Sequence, residues 1–229
     1  MSAVGDWPEI VGAIEATGLA ARGVITLAPA ERVGALEDVA CLALLGFVGR
    51  RGFDVFAASP EAADGAEHPL DRWSRRVIDA LAAELGAKAF YPFGGPPYWP
   101  FQRWALHGDD VHASPIGLLI RADYGLWHSY RGALGFSRDI APPARPKRER
   151  PCDTCPGRPC LTTCPVGAFR AGRYDVAACA SWLQAPGGAD CMNEGCRARR
   201  ACPVGAEHRP TPAQAAFHMR AFLAARERR

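Results

Sequence analysis

Eight of the nine cysteines fall within the 51 residues from Cys152 to Cys202, and no other feature constrains the fold as strongly. They read as Cys152-x2-Cys155-x4-Cys160-x3-Cys164-Pro165, then Cys179, then Cys191-x4-Cys196-x5-Cys202-Pro203. Eight thiolates are what two 4Fe-4S clusters require at four each. A cubane needs four soft ligands around one small volume, and short loops turned at Gly157 and Gly195 can supply them. Pro165 and Pro203 fix the exit from a closing ligand, and Val166-Gly167-Ala168 and Val204-Gly205-Ala206 repeat the same continuation, a local pseudo-duplication. The alternatives are zinc held by four cysteines and a disulfide framework. The second is disfavoured because the start of the sequence does not read as a secretion signal. Cys41, alone in an aliphatic run, reads as a small buried apolar residue.

Each closing Cys-Pro resembles the end of a bacterial ferredoxin run, although four residues separate the second and third cysteines here where that consensus has two. In a two-cluster ferredoxin the fourth cysteine of one run ligates the other cluster. Carried over, the rule assigns Cys152, Cys155, Cys160 and Cys202 to one cluster, and Cys164, Cys179, Cys191 and Cys196 to the other.

Composition is that of a soluble globular protein, at 48% hydrophobic and 22% charged residues, and 229 residues suffice for a medium domain and a small one. A net charge of +3 does not argue for nucleic acid, which is not expected as a partner. Arg197, Arg199, Arg200 and Arg209 are nonetheless concentrated among the cysteines, where they suit an acidic redox partner protein. The longest apolar run, Val39 to Val48, is far too short for a membrane span, so a cytoplasmic protein without membrane contact is expected.

Along the chain, Asp6 and Glu9 cap a helix with Ile10, Val11 and Ile14 on its apolar face and Gly18 beyond its end. Ala21 to Leu27 and Val39 to Val48 read as strands. Leu70, Trp73, Val77, Leu81 and Leu85 recur at helical spacing, which predicts a helix over 71–85 with Gly86 as its stop. Ala87 to Phe93 and Ile116 to Ile120 are further strand candidates, with a non-regular loop over 94–100 between them. Thr211, Pro212 and Gln214 open a last helix carrying Phe217, Phe222 and Leu223. The basic, proline-rich stretch 142–151 reads as a linker between an α/β domain over 1–141 and a cysteine-rich domain over 152–229, an α+β organisation.

Asp175-Val-Ala-Ala-Cys179-Ala-Ser-Trp-Leu183, followed by two cysteines and a Cys-Pro, resembles the ferredoxin part of epoxyqueuosine reductases, which are cobalamin-dependent iron-sulfur enzymes of tRNA modification. Ser114-Pro-Ile-Gly-Leu-Leu-Ile120 and Tyr124-Gly-Leu-Trp127 resemble the segment that these enzymes and reductive dehalogenases place ahead of the clusters, so the likeness spans roughly residues 70 to 205. It implies an N-terminal α/β/α nitroreductase-like, corrinoid-domain-like layer followed by a ferredoxin-like two-cluster module. Two departures stand out. Where the family carries a catalytic aspartate ahead of a Pro-hydrophobic-hydrophobic segment, this chain has Pro97, Tyr98 and Trp99 with no acid in place. The C-terminal repeats with which those enzymes hold tRNA also have no counterpart after the clusters.

Asp109 and Asp110 are the nearest acids and read as solvated loop carboxylates. The aromatic loop from Tyr91 to Trp104 is either an aromatic core closing the sheet or a wall for a flat cofactor such as cobalamin or flavin. On the second reading Tyr98 and Trp99 are the pocket candidates, with His112 as a ligand contact, while His107 and His128 fit no metal motif. The leading expectation is an iron-sulfur redox protein passing single electrons to a partner or to a site in its N-terminal domain. The alternatives are a corrinoid- or flavin-dependent reductase of a small organic substrate and a zinc-stapled interaction module.

Overall fold

Asp6 accepts a hydrogen bond from the Glu9 N–H at 3.3 Å and caps the first helix, α1 (Trp7–Ala16), whose Ile10 and Ile14 are fully buried. The computed structural model describes residues 6–142, 144, 148–170 and 172–227. They divide into two units, one from the described residues of Met1–Asp110 and His128–Lys147, the other from those of Val111–Trp127 and Arg148–Arg229.

In the first unit α1 is followed by β1 (Ala20–Thr26), β2 (Cys41–Val48), α2 (Arg51–Ala57), α3 (Pro60–Ala63), α4 (Pro69–Leu85), β3 (Lys88–Phe90) and α5 (Phe101–Gly108). After β4 (His112–Ala113) and β5 (Leu119–Ile120), which belong to the second unit, β6 (His128–Phe136) returns to the first. The sheet runs β1-β2-β6-β3 and every pairing in it is antiparallel. β2 is buried from Cys41 to Phe47, residues that point alternately to the two faces, so both faces are covered there. The stripe of α4 is Leu70, Trp73, Ile78, Leu81 and Leu85, with Ile78 buried where spacing had pointed to Val77; a period of 3.6 residues admits either neighbour. Gly86 ends α4 in the left-handed conformation at φ 63°.

Two irregularities place charge inside this unit. The β1–β2 register slips between Ala21 and Gly23, and the β2–β6 register slips between Leu45 and Gly46, so that Arg22 and Arg131 are the extra residues of two bulges. Arg131 donates from Nε to Ser74 Oγ at 2.9 Å and pairs with Asp71, while Arg22 is 1% exposed. β3 stops at Phe90, short of the expected Phe93, because Pro92 has no N–H for a ladder. Helices α2, α3 and α5 carry at most eight residues and were not evident from periodicity.

The second unit contains β4 and β5, then β7 (Phe169–Arg170), β8 (Arg173–Tyr174), α6 (Val176–Gln184), α7 (Ala189–Glu194), α8 (Arg197–Arg200) and α9 (Pro212–Glu227). Asp175 caps α6 by accepting from the Ala178 N–H at 2.9 Å, and Thr211 Oγ1 accepts from the Gln214 N–H at 3.2 Å at the start of α9. The segment Val111–Trp127, expected in the first domain, belongs to this unit. Its Ile116, Ile120 and Leu126 share one apolar cluster with Cys152, Cys202, Phe169 and Ala198, giving the cysteine loops aliphatic bulk that they lack themselves. Residues 143 and 145–147 of the expected linker lie outside the described residues. Among the described residues, no helix is long and apolar enough to cross a membrane.

Close approaches of backbone make specific predictions. A Cβ on Gly23 would stand 1.9 Å from the Gly108 carbonyl oxygen, so Gly23→Ala should lower stability in urea by about 1–3 kcal/mol. Gly12, inside α1 with nothing within 4 Å of a built Cβ, is the contrast. Gly12→Ala should raise stability by up to about 1 kcal/mol through helix propensity. The bidentate bond from Arg76 holds the Glu61 carboxyl down at about 2, against an ordinary 4.5. Being depressed in the folded state, this group stabilises the fold above about pH 4.5 and the contribution disappears as pH falls toward 2. The difference in Tm between Glu61→Gln and the parent chain should therefore be full at neutral pH and shrink across that window.

Candidate metal centres

The eight clustered thiols line two cavities. Cys152, Cys155, Cys160 and Cys202 open onto one of about 360 Å³, counting its solvent-open space, together with Ile120, Leu126, Pro159 and Val204. Cys164, Cys179, Cys191 and Cys196 open onto a second of about 320 Å³ by the same measure, with Phe169, Trp182, Leu183 and Met219. Each cavity thus draws its cysteines from both ends of the stretch. Cys202 arrives beside Cys152 from 50 residues away, and Cys164 is directed to the later cysteines.

Local structure explains the placement. The 3₁₀ turn Pro159–Leu161 presents Cys160, α6 presents Cys179 and α7 presents Cys191. Cys196 precedes α8, whose Ala198 is fully buried and belongs to the apolar cluster containing Cys152 and Cys202 while also lining the second cavity. Gly125 and Gly205 hold positive φ and interlock backbones: a Cβ on Gly125 would stand 2.0 Å from the Val204 carbonyl oxygen. That contact ties the 124–127 segment to the exit of the last cysteine.

Electrostatics around the sulfurs suit soft-metal ligation. Burial pushes the thiols of Cys152, Cys160, Cys179, Cys196 and Cys202 above the ordinary cysteine value, so without a cation they hold their protons. Backbone N–H groups already point at several of the sulfurs. Ala168 donates to Cys164 Sγ at 3.3 Å, Arg199 and Ala198 donate to Cys196, and Val204 donates to Cys202. Such donors stabilise sulfur carrying negative charge. Tyr174 adds a side-chain hydrogen bond to Cys179, a contact that sequence reading missed although Tyr174 precedes the quoted Asp175 motif. Among the described residues no three His, Cys, Asp or Glu side chains gather tightly enough to hold a single metal ion. Four soft donors around an apolar space fit a 4Fe-4S cluster in each cavity.

The remaining candidates are dispersed. Tyr98 is 64% exposed, whereas Trp99 stacks on Trp104 with ring centres 5.8 Å apart and meets Phe90 edge-on. Both belong to the first unit, while His112 belongs to the second, where its Nε2 lies 3.0 Å from the Arg148 carbonyl oxygen. His107 pairs with the Arg103 carbonyl on the surface of α5.

Asp109 departs from expectation. Its side chain is fully buried, where a solvated loop carboxylate had been expected. It receives hydrogen bonds from Arg22 Nη2 at 2.9 Å and Tyr130 Oη at 2.8 Å, and His128 Nδ1 stands 3.1 Å from the same guanidinium nitrogen. The bulge that turns Arg22 inward creates the positive charge, and a carboxylate at the end of α5 compensates it. Cys41 is buried as expected, with its thiol toward the Arg138 carbonyl oxygen at 3.2 Å.

No family model and no curated protein sequence matches the chain. Among solved structures it is similar to selenomethionine-labelled epoxyqueuosine reductase, at 15% identity and TM-score 0.55 over 91% of this chain and 70% of that one. It is similar to Bacillus subtilis epoxyqueuosine reductase with its catalytic aspartate loop swung out of the active site, at 14% identity, TM-score 0.54, and 91% and 69% coverage. It is also similar to epoxyqueuosine reductase with an epoxyqueuosine-modified tRNA-Tyr stem loop, at 14% identity, TM-score 0.53 and the same coverage. At such identities the likeness is one of fold, and the chain has an epoxyqueuosine reductase-like fold.

Proposed function

We propose that this chain is an iron-sulfur redox protein that carries two 4Fe-4S clusters and passes single electrons to a partner or to a site in its N-terminal domain. The observation that carries this reading is the pair of apolar cavities, each walled by four thiols. Cys152, Cys155, Cys160 and Cys202 hold one cluster, and Cys164, Cys179, Cys191 and Cys196 hold the other, in a ferredoxin-like module. When bound, the clusters supply one-electron chemistry, with potentials governed by sulfur hydrogen bonds, charge and solvent exposure. The chain's own contribution is to exclude water with Ile120, Leu126, Phe169 and Leu183 and to aim N–H donors at Cys164, Cys196 and Cys202.

A second reading, a corrinoid- or flavin-dependent reductase of a small organic substrate, draws on the fold likeness to epoxyqueuosine reductase. It makes the first unit a nitroreductase-like cofactor layer, with Tyr98 and Trp99 as the sequence candidates for its wall. The Arg22–Asp109–Tyr130–His128 group, with its Arg22 and Asp109 side chains buried, is a polar feature of that unit on which such chemistry would draw. Titrating cobalamin or flavin mononucleotide into the anaerobic protein separates the readings: saturable absorbance changes support the reductase, and their absence leaves electron transfer. One of the similar structures holds a tRNA stem loop, so RNA is a partner to test alongside, against the small net charge of +3.

Anaerobically purified protein should be brown and contain close to eight irons per chain, whereas a colourless protein containing zinc would establish the interaction module instead. The ligand grouping gives a sharper outcome. Cys202→Ser should remove the same EPR signal as Cys152→Ser, and Cys164→Ser the same signal as Cys191→Ser, each variant retaining about half the iron. Loss of one signal by Cys152→Ser and Cys164→Ser together would refute the crossed grouping.

A further inference from the structure

The hairpin of β7 and β8 sits against the second cavity in a way that metal ligation alone does not require. Phe169 lines that cavity, and its ring stacks on Tyr174 at 4.8 Å between centres and 10° between planes. Tyr174 donates its hydroxyl to Cys179 and is 41% exposed, so a single aromatic ring connects solvent to a cavity thiol. Beside it, Arg170 pairs across the hairpin with Arg173, and both are exposed. Arg170 also donates from Nε to the Gly167 carbonyl oxygen at 3.1 Å, which anchors its side chain at the surface. The nearest acid along the chain, Asp175, is engaged in capping α6. The first cavity differs: two of its four thiols are buried, and aliphatic side chains of the 116–126 segment cover it.

We propose that this hairpin is where an acidic, one-electron carrier protein docks, with Arg170 and Arg173 contacting its carboxylates and Tyr174 joining the docking surface to the cluster held by Cys164, Cys179, Cys191 and Cys196. The proposal rests on the two-cluster reading above and names the partner of that module. One electron leaves the reduced carrier and is gained by that cluster; no bond forms or breaks. Two arginines at a tip suit electrostatic steering of a complementary protein, which acts through encounter rate and weakens with salt. They are few for a nucleic acid, whose binding draws on many phosphate contacts, and the Tyr174 ring is already stacked within the chain and not offered to a base. A donor to a cluster sulfur favours the more negative, reduced state and raises the potential.

The test uses the full chain with iron counted in every sample. Reduced flavodoxin, an acidic carrier, is mixed by stopped flow with the parent and with the Arg170→Glu/Arg173→Glu variant, and reduced methyl viologen serves as the cationic control. The variant should be reduced by flavodoxin at least about tenfold more slowly at low salt, with the difference fading at high salt, and no slower by methyl viologen. EPR-monitored titration of Tyr174→Phe should lower the potential of one cluster and leave the other unchanged. With iron content retained, an unchanged flavodoxin rate overturns the docking site, and an unchanged potential overturns the Tyr174 link. Loss of stem-loop RNA binding without loss of rate would assign the hairpin to RNA and overturn it too. A parent chain without iron overturns the two-cluster reading itself, a result distinct from both.

Discussion

Everything in the cysteine-rich unit depends on bringing thiols from distant parts of a loop-rich stretch to the walls of two small apolar cavities. Two of the helices that place cysteines there are short, α7 and α8 having six and four residues. Its apolar cluster includes Cys152 and Cys202 themselves, so a metal held by those thiols would stand inside the core. Cluster ligation and folding would therefore be coupled in it. The chain adds two compensations: aliphatic side chains from 116–126 that complete the core, and the Gly125–Val204 backbone contact that accepts no side chain. Burial holds the protons on Cys152, Cys160, Cys179, Cys196 and Cys202, so metal ligation at those thiols would have to displace them.

The sheet unit solves a different problem. Its central strand is buried on both faces, yet two bulges turn arginines inward. Each meets a carboxylate, Asp109 for Arg22 and Asp71 for Arg131, because an unpaired buried cation would be far costlier than the pair. Around the first of these pairs Tyr130 donates to Asp109 and His128 Nδ1 approaches the same guanidinium nitrogen, so four side chains form one polar group.

Much was legible in the chain itself, for reasons that are local. Asp6 and Thr211 cap helices because a short polar side chain ahead of an apolar run can satisfy a free N–H within three residues. The α4 stripe shows in the spacing of its large residues, and Gly86 ends it because glycine accepts positive φ. Short helices such as α5 were not legible, as eight residues carry too few turns for a period to emerge. Nor was the burial of Asp109, since a paired aspartate on a polar stretch looks the same whether water or an arginine satisfies it.

The eight thiols, their number and the pseudo-repeated Cys-Pro exits belong to the sequence alone, because metal chemistry depends on residue type and count before it depends on shape. Tertiary structure decided which segment packs against them, that Tyr174 reaches Cys179, and that Asp109 faces Arg22 across 87 residues. Those are contacts between positions far apart in the chain or on different elements, and only the register of strands and the close packing of side chains can specify them.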